Sequence, residues 1–138
     1  MRPVSDKALQ DLVGPLDTGT HDSGLIQSMH RVWAIPLKQL TLGDLRLVIG
    51  QKRGLPYLIP LALAHLEQHP LAEATYYHGD LLRMVAQVDV AFWRQHPHLQ
   101  RQLQVALDRA LSMIHKKSVP EDLEPELRSA LAMARHSV

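Results

Sequence analysis

Residues 40–70 read LTLGDLRLVIGQKRGLPYLIPLALAHLEQHP, and this stretch decides the fold. Thr41 stands where a helix N-cap belongs. Asp44, three residues on, completes a short capping box and meets the positive end of the helix dipole. Leu42, Leu45, Val48 and Ile49 follow at spacings of three and four, the apolar stripe of a helix laid against a core. Lys52, Arg53 and Gly54 break the run, and Gly54 is the residue able to close the first helix in the left-handed conformation. From Leu55 to Leu66 nearly every residue is apolar, which leaves no face for water. Crossing a bilayer takes about 18 to 20 apolar residues. This run is much shorter, and it predicts the buried central helix of a globular domain. Pro60 permits two arrangements there: a regular helix that begins near Pro60, with Pro56 in a looser turn, or a helix kinked at Pro60.

The flanking segments keep the helical period. Ser5 or Asp6 is placed to cap a short helix over Lys7 to Val13, which Gly14 and Pro15 stop. A polar, glycine-containing loop precedes a helix over Leu25 to Trp33, ended by Pro36 because a residue before proline is driven out of helical geometry. Leu71 to His78 is the largest irregular segment in the middle of the chain. Gly79 and Asp80 open another helix, and Asp89 is placed to cap Val90 to His96. Pro97 ends that run or begins the next at its first position. His98 to Lys117 forms a long amphipathic helix, with Leu99, Leu103, Ala106, Leu107, Ala110, Leu111 and Ile114 inward and Gln100, Arg101, Gln104, Asp108 and Arg109 outward. Pro120, Glu121 and Asp122 begin a last helix with acids in its first turn. Nothing alternates with period two for long enough to predict a strand. The expected architecture is all-α: a single compact domain over residues 1–138, with six or seven helices around a buried central helix.

Composition narrows the function. The chain has 138 residues, enough for one substantial core. It is 46% hydrophobic and 21% charged, a balance typical of globular domains. A net charge of +1 argues against non-specific nucleic-acid binding, which depends on many phosphate contacts. Cysteine is absent, which removes disulfides, thiolate metal sites and thiol nucleophiles. The N-terminus lacks the apolar core of a signal peptide, so the expected location is the cytoplasm.

No motif in the chain carries a strong chemical signal. Asp17-Thr18-Gly19 matches the aspartic-protease tripeptide, but that mechanism needs two such aspartates in a β-rich fold. His65 and His69 have metal-ligand spacing. Metalloproteases, however, place glutamate directly after the first histidine, whereas Glu67 is third and faces elsewhere. A histidine-dependent metalloenzyme therefore stands only as a third possibility. The glycines form no nucleotide-binding loop, and no serine sits in a nucleophile elbow. These observations predict no enzymatic activity, no metal and no cofactor. Arg94, His96, His98, Arg101, Arg109, Lys116 and Lys117 make residues 94–117 the most basic region. That region is either a phosphate-binding face or an ordinary solvated helix surface. The first option would make the chain a small helical nucleic-acid-binding regulator. Tyr76 and Tyr77, beside Glu73, His78 and Asp80 on an irregular segment, are either interface anchors or one core and one half-exposed tyrosine.

Four blocks in order carry a resemblance: LTLGDLRLVIGQ (40–51), GLPYLIPLAL (54–63), EQHPLAE (67–73) and YYHGDLL (76–82). Over about Leu25 to Trp93 the chain resembles the immunity proteins of bacterial contact-dependent growth inhibition (CDI) systems. The resemblance implies a small helical protein of the cytoplasm that binds the C-terminal toxin domain of a large delivered exoprotein and blocks its active site. Such toxins are often nucleases, many directed at tRNA. The family pattern brings no catalytic residues, and Asp44, Arg46, Gly50, Gln51, Gly79 and Asp80 read as capping and packing positions. Because nuclease sites are positive, the expected partner contacts are acids with aromatic anchors. The candidates are Glu67, Glu73, Tyr76, Tyr77, Asp80 and Asp89, with Asp17 and Asp22 as a second cluster. Glu121, Asp122, Glu124 and Glu126 form a third.

Overall fold

The Thr41 hydroxyl accepts the Asp44 N–H at 3.1 Å, and the Asp44 carboxylate accepts the Thr41 N–H at 3.0 Å. This reciprocal capping box starts helix α3 where the residue types demand it. The computed structural model describes residues 3–17 and 23–136. Among these residues lie eight α-helices: α1 (Leu9–Leu12), α2 (Gly24–Trp33), α3 (Leu42–Gly50), α4 (Leu55–Gln68), α5 (Asp80–Ala86), α6 (Val90–Gln95), α7 (Pro97–Met113) and α8 (Leu123–His136). Six of them run for seven residues or more. No strand occurs among the described residues, only isolated bridges between Ala8 and Pro36 and between Glu73 and His78. The chain is all-α.

The N-terminus departs from expectation. Ser5 and Asp6 cap nothing; they lie in a 3-10 turn over Val4–Asp6, and the helix begins only at Leu9. The cause is the bridge to Pro36. Leu37 donates its N–H to the Lys7 carbonyl at 2.9 Å, which holds Lys7 and Ala8 extended where a helix would need them coiled.

The α3–α4 turn also differs. Lys52, not Gly54, takes the left-handed conformation just past the end of α3, with φ +59°. Gly54 is left-handed too, at φ +61°, but as the N-cap of α4. A Cβ at Gly54 would lie 2.9 Å from a methyl of buried Leu9, so glycine is needed for space as well as for φ.

α4 is one continuous helix from Leu55, with Pro56 in its first turn and Pro60 inside it. It does not wait for Pro60 to begin. Nor is it covered on every side. Leu58, Ile59, Ala62, Leu63 and Leu66 are buried, while Pro56, Pro60, Ala64 and Glu67 form an exposed edge. Proline is tolerated on this edge because the Pro56 carbonyl, which Pro60 has no N–H to meet, is within reach of water.

α7 runs beside α4 in the same direction: the Arg109 guanidinium donates to the Glu67 carbonyl at the end of α4. α8 returns antiparallel, with Leu123, Leu127 and Leu131 buried and the Ala134 carbonyl accepting from Gln100 at 2.8 Å and Gln104 at 3.0 Å. Gln100 was expected on the wet face of α7. It is buried instead, because α8 covers that face. Pro97 occupies the first position of α7, as its fixed φ favours.

Candidate functional site

The irregular segment between α4 and α5 is short and tightly specified. The antiparallel bridge between Glu73 and His78 pinches its neck and leaves residues 74–77 as a tip. Asp80, only 3% exposed, turns its carboxylate back into that tip. It accepts the N–H of Ala74 at 2.7 Å, of Thr75 at 2.9 Å and of Tyr76 at 2.8 Å. Three amides converging on one buried carboxylate fix the backbone of a segment that would otherwise be mobile. Gly79 permits the reversal: its φ is +91°, and a Cβ there would sit 2.8 Å from a methyl of Leu123.

On this frame the two tyrosines differ. Tyr76 is 69% exposed. The Arg46 guanidinium carbon lies 4.5 Å from the centre of its ring, and Arg46 Nε donates to Thr75 Oγ1 at 3.2 Å. The ring is thus steadied by a cation on one face while most of its surface stays open. Tyr77 is half-buried, and its phenol oxygen accepts from Arg83 Nη1 at 2.8 Å.

Arg83 joins residues far apart in the chain. Its Nε reaches Glu126 at 2.6 Å and its Nη2 reaches Asp122 at 2.8 Å. Gln87 donates to the other Glu126 oxygen at 2.7 Å. The hydrogen bonds that Arg83 donates to Glu126 and then to Tyr77 hold it protonated even more firmly than a free guanidinium. Burial alone would raise the Glu126 pKa. The hydrogen bonds from Arg83 and Gln87, with the Arg83 charge, outweigh it and hold Glu126 below the usual carboxylate range.

Asp122 and the tyrosine loop, separated in sequence, therefore share one surface. Glu73, Tyr76, Glu121 and Asp122 are exposed. Glu67 is exposed too, but it lines a cleft with His98 and Arg101 of α7. Asp80 lies beneath as a support for the loop, not as a presented charge. The remaining candidates fall elsewhere. Gly43, at the start of α3, lies against Ala74 and Thr75, whereas Gly50, at its end, lies against Met84 near the end of α5. α3 and α5 thus run side by side, with the loop at one end. Asp89, beyond the end of α5, caps α6 by accepting the Ala91 N–H at 3.3 Å at the other end. Asp17 is at that end too, its carbonyl accepting from Arg53 of the α3–α4 turn at 3.4 Å. Asp22, like Thr18 and Gly19 of the tripeptide, is outside the described residues.

In the sequence Arg83 stands as a lone cation in the apolar run LLRMVA, with no spacing that marks it. Its partner Glu126 is 43 positions away, a separation that no local period encodes. The basic stretch 94–117 is not an unbroken positive face. Arg109 is spent on a backbone carbonyl, and Asp108 interrupts the series and pairs with Arg135 at 3.0 Å. His65 and His69 place their ring centres 5.3 Å apart. Among the described residues no three His, Asp or Glu side chains gather as a metal site would require. None of the described helices is long and apolar enough to cross a membrane.

The 73–78 loop thus presents one exposed aromatic ring, held on one face by a cation, on backbone fixed by a buried carboxylate. A family profile described as CDI immunity proteins matches residues 17–103. The chain belongs to this family. The match takes in α2 to α6, the tyrosine loop and the first turns of α7, and it is wider than the stretch from Leu25 to Trp93 that carries the resemblance. In this CDI immunity protein Asp122, Glu126 and all of α8 lie beyond the matched residues. No individual characterised protein matches the chain.

Proposed function

We propose that this immunity protein neutralises the toxin domain of its own CDI system by stoichiometric binding, and that the contact is the face built on the 73–78 loop. Tyr76 is taken as the anchor, and Glu73 of the same loop and Asp122, tied to that loop through Arg83 and Tyr77, as the acids that act with it. The single observation that carries this reading is the pose of Tyr76. It is a large ring, mostly open to solvent, on backbone already fixed by Asp80 and with one face steadied by Arg46. A preorganised aromatic loses little entropy on binding, which is the property of a hot spot. Glu73 and Asp122 would complement a positive cleft, and the toxin we infer is a nuclease, whose substrate-binding cleft has that sign. The protein itself performs no catalysis and acts within the cytoplasm.

The test is a titration against the C-terminal toxin domain of the cognate CDI exoprotein. Tyr76→Ala should weaken binding by at least tenfold, and Glu73→Lys should slow association most at low salt, because exposed interfacial charges act chiefly on encounter. Wild-type affinity in the double variant would remove the loop from the interface. A steep salt slope for binding RNA or DNA, with no binding of the toxin domain, would favour a nucleic-acid regulator instead.

A further inference from the structure

The recognition loop is gripped from two sides, and only one grip comes from the residues matched to the family. Asp80 holds the tip. The other grip is α8. Leu123, its first residue, is fully buried and packs a methyl group 2.8 Å from the Cβ position of Gly79, where Leu71 from the opposite side of the loop also arrives. One residue earlier Asp122 binds Arg83, and one turn into α8 Glu126 binds it again. The Arg83 side chain is only 14% exposed, and each of its three nitrogens has an oxygen partner: Glu126 at Nε, Glu126 and Asp122 at Nη2, and the Tyr77 hydroxyl at Nη1. The guanidinium is planar and rigid, so fixing two of its nitrogens on α8 fixes where the third points. That third nitrogen sets the Tyr77 side chain, and the adjoining peptide carries Tyr76.

We infer that α8 acts through Arg83 and Leu123 as a clamp that sets the pose of the tyrosine loop, making Arg83 a positioning residue for recognition. The face offered to a partner is then fixed jointly by residues 73–80 and by residues 122–126, which lie outside the family match. This inference rests on the loop being the contact face. It also gives the C-terminal segment a part in specificity that a shared family core does not supply. The relevant chemistry is that of a fork: lysine would keep the charge at position 83 yet could not bridge a carboxylate and a phenol in one plane.

The experiment compares the full-length wild type with Arg83→Lys, Glu126→Gln and Tyr77→Phe by amide hydrogen exchange on the free protein. Toxin-domain dissociation is then measured for Arg83→Lys and Glu126→Gln. Tyr77→Phe removes only the last link and guards against the chance that the charge variants fail to fold. The clamp predicts exchange at least fivefold faster across residues 71–79 in all three variants, with exchange in α3 and α4 unchanged, and toxin dissociation at least fivefold faster. Wild-type exchange across 71–79 in Arg83→Lys and Tyr77→Phe would overturn it. Faster loop exchange with unchanged toxin dissociation would uphold the clamp and overturn instead the placement of the toxin contact on this loop.

Discussion

Two buried aspartates show how one residue type serves two purposes here. Asp80 gathers three backbone amides and shapes a loop. Asp44 closes a capping box and also accepts from Arg31 at 3.0 Å, tying α3 to α2. Burial raises the Asp44 pKa, but the Thr41 backbone hydrogen bond and the Arg31 contacts outweigh it and hold the carboxyl below its ordinary 3.8. Glu126 is likewise held below its ordinary 4.5. A carboxylate depressed in the folded state contributes stability that is complete above its unfolded value and is lost as pH falls through its folded value. The loss should therefore begin near 4.5, with Glu126, and continue through and below 3.8 as Asp44 is protonated. Melting curves taken from neutral pH downward should show a steep acid limb for the wild type. Asp44→Asn with Glu126→Gln should melt lower at neutral pH and lose less on acidification, so that the two curves converge at low pH. Parallel acid limbs would mean that these carboxylates do not carry the acid sensitivity.

At the level of the element, α4 separates what a residue pattern encodes from what it leaves open. Its existence was legible from the apolar run Leu55 to Leu66, and so was its depth at Leu58, Ile59, Ala62, Leu63 and Leu66. Its exposed edge was not, because proline and alanine count as apolar wherever they point. Gln100 errs in the opposite sense: a polar side chain assigned to water is covered because α8 supplies an acceptor for it. Both misses share a cause. Periodicity reports the average face of a helix, whereas burial of a given position depends on a neighbour that arrives from elsewhere in the chain. The edge of α4 also yields a prediction. Pro60 is exposed and sits inside a regular helix, so it leaves one intrahelical hydrogen bond unmade. Pro60→Ala restores the donor at an exposed site. Proline in a helix interior is about 3 kcal/mol worse than alanine, and part of that is already relieved by water and by proline's stiffening of the unfolded chain. The variant should gain about 1 kcal/mol, read as a higher denaturant midpoint at unchanged slope. A loss of stability would show that the ring makes contacts its exposure conceals.

Across the whole molecule, the family match and the folding core do not coincide. The all-helical class and the irregular segment that carries the two tyrosines were readable from residues 25–93, because capping boxes, prolines and apolar stripes are local signals. The union of that loop with Asp122 and Glu126 was not, since Arg83 meets them only once the chain has folded back. The matched residues 17–103 take in only the first seven residues of α7, although α7 is roofed along its length by α8. Leu123, Leu127 and Leu131 are each buried, and Leu103, Leu107 and Leu111 are buried in α7. Burying a leucine contributes about 1.5–3 kcal/mol, so the three from α8 alone supply roughly 5–9 kcal/mol on an extended-chain reference, an upper estimate. That is comparable to the about 5–15 kcal/mol by which a typical domain is stable. A chain ended at Ser118 would forfeit this and expose the facing side of α7. It would also leave Arg83 without its two carboxylates and remove the Ala134 carbonyl that Gln100 donates to. It should keep much of its helical circular dichroism yet lose cooperative unfolding, bind a hydrophobic dye, and fail to retain the toxin domain. Adding residues 119–138 back as a separate peptide should restore part of the cooperativity, because the lost interface is a helix laid along a groove. Sharp two-state unfolding of the shortened chain, with wild-type loop exchange, would show that the family core stands alone and that α8 is an appendage.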